Sequence, residues 1–153
     1  MELGQYHFGG YYAGIIDNKS LYHIIVSPKL GNGIYQYGEN GSNPIFASAT
    51  DGWSASNLML LGDYPAARFC RGLNIGGYSD WYLPAIDELS LLYQLHRRKS
   101  MPKSEVFDDR SYLSSTSHAD NSVMGIGFHD GDHRMFNKEY AHVGCRAIRR
   151  IVV

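Results

Sequence analysis

The sequence has only two cysteines, Cys70 and Cys145, in 153 residues. Neither has a second cysteine at the short spacing of a zinc site, so a thiolate-ligated metal centre is excluded. The pair reads as two buried apolar thiols, with a single disulfide as the alternative. An excess of one charge is missing as well: 14 Lys and Arg face 15 Asp and Glu. Without a basic stripe the chain lacks the phosphate-neutralising design of a nucleic-acid binder. No apolar run reaches the length of a membrane span. The opening "MELGQYHFGGYYAG" lacks the basic-then-apolar order of a secretory signal, so Sec-type export is not expected. There is no internal repeat and no low-complexity tract. The length suits one domain over residues 1–153, with an N-terminal part to residue 50 and a core from residue 51.

What the chain does hold is glycine and tyrosine, 17 and 12 of them, with charged residues at only 19%. That mixture favours short strands, tight turns and amphipathic contact surfaces. "YYAGIID" and "LYHIIVSP", separated by "NKS", predict a β-hairpin. Residues 29–50 read as an irregular loop, with a short strand near "GIYQYG". Asp63 is expected to cap a helix that has Pro65 in its first turn and Ala66, Phe69, Cys70 and Leu73 as its apolar stripe. A second helix follows Pro84, with Asp87 and Glu88 at its start, a buried side of Ile86, Leu89, Leu92, Tyr93 and Leu95, and "HRRK" at its positive end. "SMPKSEVFDD" is a polar connection. Then "RSYLSSTS", "SVMGIGF", "HRMFNK" and "VGCRAIRRIVV" read as strands, with Asp130-Gly131 as a two-residue turn. Strands, two helices and strands again predict an α+β domain in which the helices pack on antiparallel sheet.

The densest stretch is "NIGGYSDWYLPAIDEL". Its residues fit structural work: Gly76 and Gly77 turn the chain, and Asp80 accepts backbone N–H groups inside the loop. Trp81 and Leu83 reach a core with Tyr82 pointing elsewhere. Pro84 restricts the entry to the helix, and Glu88 lies in its first turn. As acid and base the stretch is poor, because Asp87 and Glu88 are sequence neighbours that diverge on a helix. Ser114 and Ser115 lack a nucleophile elbow, and "GLNIGGYSD" lacks the lysine of a phosphate loop. His7, His23, His96 and His142 read as surface or interface residues.

The ordered set "GGYSDWYLPAIDEL", "YLSST", Phe128, Gly131, Lys138, Arg146 and Arg149 resembles the C-terminal domain of the Legionella collagen-like adhesin, a domain also found in many bacteriophage tail-fibre proteins. The resemblance spans most of the chain. It implies a variant of the C-type-lectin-like fold, trimers, binding rather than catalysis, and no cofactor. Leu113 stands where relatives carry tryptophan, Ser117 where glutamate is common, and Ala147 where many have a cysteine, with Cys145 two positions earlier. A family-type disulfide with Cys70 is therefore not implied.

If the motif builds the fold, binding falls to the exposed loops. One candidate is His129, Asp130, Asp132, His133 and Arg134, whose oxygen and nitrogen groups suit a divalent metal, although a solvated hairpin tip is the simpler reading and no metal is expected. The other is His118, Asp120 and Asn121, whose amide and carboxylate suit a sugar if Tyr35, Tyr37 or Trp53 supplies a ring face. The Glu-Pro-Asn and Trp-Asn-Asp signals of calcium-dependent lectins are absent. The expected role is host attachment by a phage virion protein through a cell-surface glycan. The alternative is a structural decoration docked on other virion proteins, favoured because the chain starts at Met1 without a shaft or stalk. An enzyme would draw on Asp108 and Asp109 or Asp130 and Asp132, and is not expected.

Overall fold

A computed structural model describes residues 1–41 and 44–153, so part of the predicted 29–50 loop lies outside the described residues. The first sheet is antiparallel and contains β1 (Tyr6–His7), β2 (Gly10–Asp17), β3 (Leu21–Val26) and the last strand, β9 (Ile148–Val152), in the order β1-β2-β3-β9. The second holds β4 (Asn32–Ile34), β5 (Ser111–Ala119), β6 (Ser122–Gly127), β7 (His133–Asn137) and β8 (Gly144–Arg146), in the order β4-β8-β5-β6-β7. Its one parallel contact joins β5 to β8, at Tyr112 and Gly144. Between β4 and β5 lie α1 (Gly52–Met59), α2 (Pro65–Arg71) and α3 (Ile86–Arg97). The protein is α+β, with three helices and two sheets, compatible with the C-type-lectin-like fold.

Three corrections concern element boundaries. The helices number three, not two. α1 carries a glycine and two serines and so shows little intrinsic helix preference. It forms because Asp51 caps it, accepting from Ser54 N at 3.0 Å, and because Ala55 and Met59 pack inward. α2 is capped at Tyr64 rather than Asp63, and no side chain closes that end. The last predicted strand is split at Ala147, with Gly144–Arg146 in the second sheet and Ile148–Val152 in the first.

Why charge is scarce becomes clear from the two apolar cores. Successive side chains of a strand point to opposite faces. Ile25 enters one core and its neighbours Ile24 and Val26 the other. Leu113 and Tyr112 divide in the same way, as do Ala147 and Ile148. Strands covered on both faces read as continuous apolar runs. The motif follows this alternation too. Trp81 and Leu83 fill the first core with Ala66, Cys70, Leu113 and Cys145, while Tyr82 fills the second with Leu89, Leu92 and Phe128. Both cysteines are buried free thiols. Burial and the neighbouring Cys145 push the Cys70 thiol well above its usual range.

The turn before Trp81 relies on left-handed backbone at Gly76 and Gly77, with φ of +63° and +81°. A Cβ on Gly76 would lie 2.7 Å from Gly9 Cα, whereas one on Gly77 would meet nothing within 4 Å. Gly77→Ala is therefore expected to cost only the left-handed strain, about 1 kcal/mol. Gly76→Ala adds a backbone clash and is expected to cost about 2–3 kcal/mol. Thermal melts of the two variants check that order.

Candidate functional site

The acids Asp80 and Glu88 of the sequence motif are engaged by groups of the protein itself. Asp80 does not hold its own loop together; it meets Arg149 in a fork, Nε to Oδ1 at 2.7 Å and Nη2 to Oδ2 at 3.0 Å. The same guanidinium donates to Phe8 O at 3.1 Å and stacks 3.8 Å from the Tyr78 ring centre. Arg149 thereby ties the motif loop, β9 and the β1–β2 turn together. Glu88 is fully buried: its Oε1 accepts from Gly52 N at 2.9 Å and Ala85 N at 3.1 Å, and its Oε2 accepts from the Tyr82 hydroxyl. Desolvation pushes its carboxyl up to about 7, against the pull of those donors. Ala85 has no side-chain oxygen to cap α3, so the helix N-terminus borrows acceptors from elsewhere. Ile86 N donates to Thr116 Oγ1 at 3.0 Å and Asp87 N to Ala49 O at 2.9 Å. That accounts for the threonine of the Ser-Ser-Thr run. Pro84 joins in through its carbonyl, which accepts from Ser115 N at 2.8 Å.

Asp80 also borders a notch of about 190 Å³ with Tyr22, Trp53 and Arg150. No second acid lines it. Asp51, the acid that meets Arg150 at 3.2 Å, is held by its capping bonds to Ser54. A paired-carboxylate site is therefore not assembled around the motif.

The exposed candidates lie apart. His118 lies near the end of β5, beside the Asp120–Asn121 turn into β6, whereas residues 128–132 join β6 to β7. They sit at opposite ends of β6, about 20 Å apart for a strand of its length. The second connection is longer than the predicted Asp130-Gly131 turn, because Ile126 is the last β6 residue opposite His133. Within it His129, Asp130 and Arg134 form a small network, with His129 Nε2 3.2 Å from Asp130 Oδ2 and 3.3 Å from Arg134 Nη2. Asp132 contributes its backbone N–H to Asp130 Oδ1 at 2.9 Å. That bond first, and the Arg134 charge after it, hold the Asp130 carboxyl below the usual range. His133 is exposed and, as the strand neighbour of Arg134, faces the other way. The five residues therefore do not converge. Among the described residues, no three His, Cys, Asp or Glu side chains are grouped to hold a metal.

At the other end, Asn121 Oδ1 and Asp120 O both accept from Gly41 N, at 2.9 and 3.0 Å, so the turn is pinned to the 38–41 segment. The side chains of His118 and Asp120 face solvent. The ring beside them is not one of those expected. Tyr37 is buried and donates to Ser115 O at 2.9 Å, and Trp53 lies under Arg71 at 4.6 Å. Tyr35 is stacked on Phe69 at 4.8 Å. An exposed ring at this end belongs to Tyr140, three residues past Asn137, whose ladder partner is Ser122. Sequence reasoning missed it because only the β6–β7 register carries it there.

A cavity of about 540 Å³ opens beside the 128–132 connection. Its walls are the last turn of α3, residues 99–107, and Phe128 and His129. Phe107, Phe128 and Met101 are buried beneath it, and Arg97, Lys99 and Lys103 are exposed around it. His96, expected at the surface, packs on Phe107 and Phe128 at ring distances of 5.8 and 5.4 Å. Arg97 and Lys99 were legible in "HRRK" as helix-end charge, and Lys103 only as part of the polar connection. Their gathering around an apolar floor was not, since it depends on how the connection folds back.

No curated protein matches the chain significantly. The family model described as the Lcl C-terminal domain matches residues 37–149. That region runs from Tyr37 to Arg149 and includes the turn glycines, the buried Glu88, the Ser-Ser-Thr staple and both inward-facing arginines, so the chain belongs to the Lcl C-terminal domain family.

Proposed function

We propose that the protein is an adhesin-like receptor-binding module of a bacteriophage particle, working as a homotrimer that recognises a host cell-surface glycan without making or breaking bonds. One observation carries the reading: Asp80, Glu88 and Thr116 of the motif are engaged in contacts within the protein, while amide, carboxylate and aromatic groups stand exposed on the β5–β6 turn and after β7. Asp120, Asn121 and Tyr140 offer the edge hydrogen bonds and the flat face that a sugar ring needs. The family's adhesin lends the binding role, and the likeness to phage tail fibres lends the setting. Repetition in a trimer makes a weak single site effective. Asp108, a candidate acid for hydrolysis, is instead tied to Lys29 and Asn32, each at 3.2 Å.

A second reading, decoration of the particle through contacts with other virion proteins, is favoured by exposed Ile15, Leu21, Val152 and Val153 on the first sheet. Glycan arrays and whole-cell binding by the purified protein decide between them. Saturable binding, weakened at least tenfold in Asp120→Ala/Asn121→Ala while the variant stays folded, is the expected result. A monomer with no affinity for cells or envelope glycans overturns the first reading. Particles that lack the protein and adsorb normally but fall apart under the electron microscope establish the second.

A further inference from the structure

We propose that the cavity between the end of α3 and the 99–107 connection is a binding site for a small amphipathic anion, with one acidic head group on a short apolar body. The assignment does not depend on the receptor-binding reading, since it concerns a different end of β6 and a different chemistry.

Size comes first. About 540 Å³ falls within the range of small-molecule sites. The lining then divides by depth. Phe107, Phe128, Met101 and Val106 offer carbon, and Phe107 and Phe128 are locked against each other at 5.1 Å, so the floor is preformed. Arg97, Lys99 and Lys103 stand at the opening, and no ion pair engages them among the described residues. No acid lines the cavity. The nearest acids in the chain are directed elsewhere: Glu105 accepts from Lys29 N, Asp108 pairs with Lys29, and Asp130 pairs with Arg134.

These cations do more than complement a helix end. The C-terminus of α3 carries only about half a negative charge, so three cations leave the opening positive. Lys99 adds a second argument. It adopts φ +54°, the left-handed conformation that glycine usually fills just after a helix. Its N–H closes the helix on His96 O at 3.0 Å, and its side chain lines the cavity. A lysine where glycine is the unstrained choice fits a role for the ammonium group. An apolar body on the phenylalanine floor with its acid at the cationic opening uses both halves of the lining. A bare inorganic anion would use only one.

The test is isothermal titration with decanoate, alongside decyltrimethylammonium, inorganic phosphate and polyphosphate, on the full chain. Decanoate is expected to bind saturably at one site per chain, more weakly as salt is raised. The cationic analogue and phosphate are expected to show no saturable binding. In Arg97→Gln/Lys99→Gln/Lys103→Gln, decanoate affinity is expected to fall at least tenfold with an unchanged melting temperature, and Val106→Asp to act likewise through the apolar half. Amide shifts in the native protein, which need no variant, are expected to centre on residues 96–107 and 128–129. Equal binding of the two decyl amphiphiles, competition by phosphate or polyphosphate at similar concentration, shifts centred elsewhere, or no saturable decanoate binding at millimolar concentration would each overturn the proposal.

Discussion

Raising the pH from about 5 to about 8 lowers the contribution of Glu88 to stability by about 3 kcal/mol, and Glu88→Gln removes that loss. The buried carboxyl is raised from 4.5 to about 7 by desolvation. Between those values the folded chain holds a proton that the unfolded chain has released, so stability falls with pH in that window. The contribution is fully present below the unfolded value and is gone once the pH passes the folded one. Glutamine is close in shape. Its carbonyl oxygen still accepts from Gly52 N and Ala85 N, and its amide donates to the Tyr82 oxygen. Urea midpoints of the two proteins are therefore close at low pH, where Glu88 is protonated, separate as the pH rises through the window, and run parallel above it. Glu88→Ala behaves differently. It strands two buried N–H groups and the Tyr82 hydroxyl and opens a cavity beneath α1, for a loss of about 3–5 kcal/mol at low pH that narrows as the pH rises through the window. Tyr82→Phe removes a donor that favours the ionised form, which raises the carboxyl further and extends the pH-dependent loss to higher pH.

Of the two arginines in the closing strands, Arg146 is expected to matter more. It is fully buried, its acceptors among the described residues are backbone carbonyls, and burial lowers its affinity for a proton. Nε donates to Ser27 O at 3.1 Å and Nη2 to Glu105 O at 2.8 Å, and the guanidinium lies 4.7 Å from the Phe107 ring centre. It bridges β8 to the β3 exit and to the 99–107 connection. Arg146→Ala strands those carbonyls and leaves a large void, for an expected loss of about 4 kcal/mol. Arg146→Lys keeps the charge but cannot reach acceptors on two segments at once, and about half the loss remains. Arg149→Ala is expected to cost about 2 kcal/mol, because its partner Asp80 is 41% exposed and regains water. Denaturant midpoints rank the three variants. An Arg149→Ala loss equal to that of Arg146→Ala would show that the Asp80 fork, rather than the buried carbonyl bridge, secures the end of the chain.

What could be read from the chain depended on range. The β2–β3 hairpin, α2 and α3 carry their apolar pattern within a dozen residues and were legible. α1 was not, since glycine and serine give it little intrinsic preference and its stability comes from Asp51 and from tertiary packing. Thr116 and Ala49 as partners of the α3 N-terminus were equally hidden. Nothing local to Ala85 says which distant oxygens replace the cap it lacks.

The residues alone determined the α+β class, the family motif and the inward role of Trp81 and Leu83, because periodicity and turn chemistry are properties of adjacent residues. Only the tertiary structure decided that Asp80 meets Arg149, that Glu88 is buried, that the polar loops stand at opposite ends of β6 and that Arg97, Lys99 and Lys103 surround one cavity. Those facts join residues far apart in the chain, and their geometry is set by sheet register and by how connections fold back, neither of which a local pattern encodes.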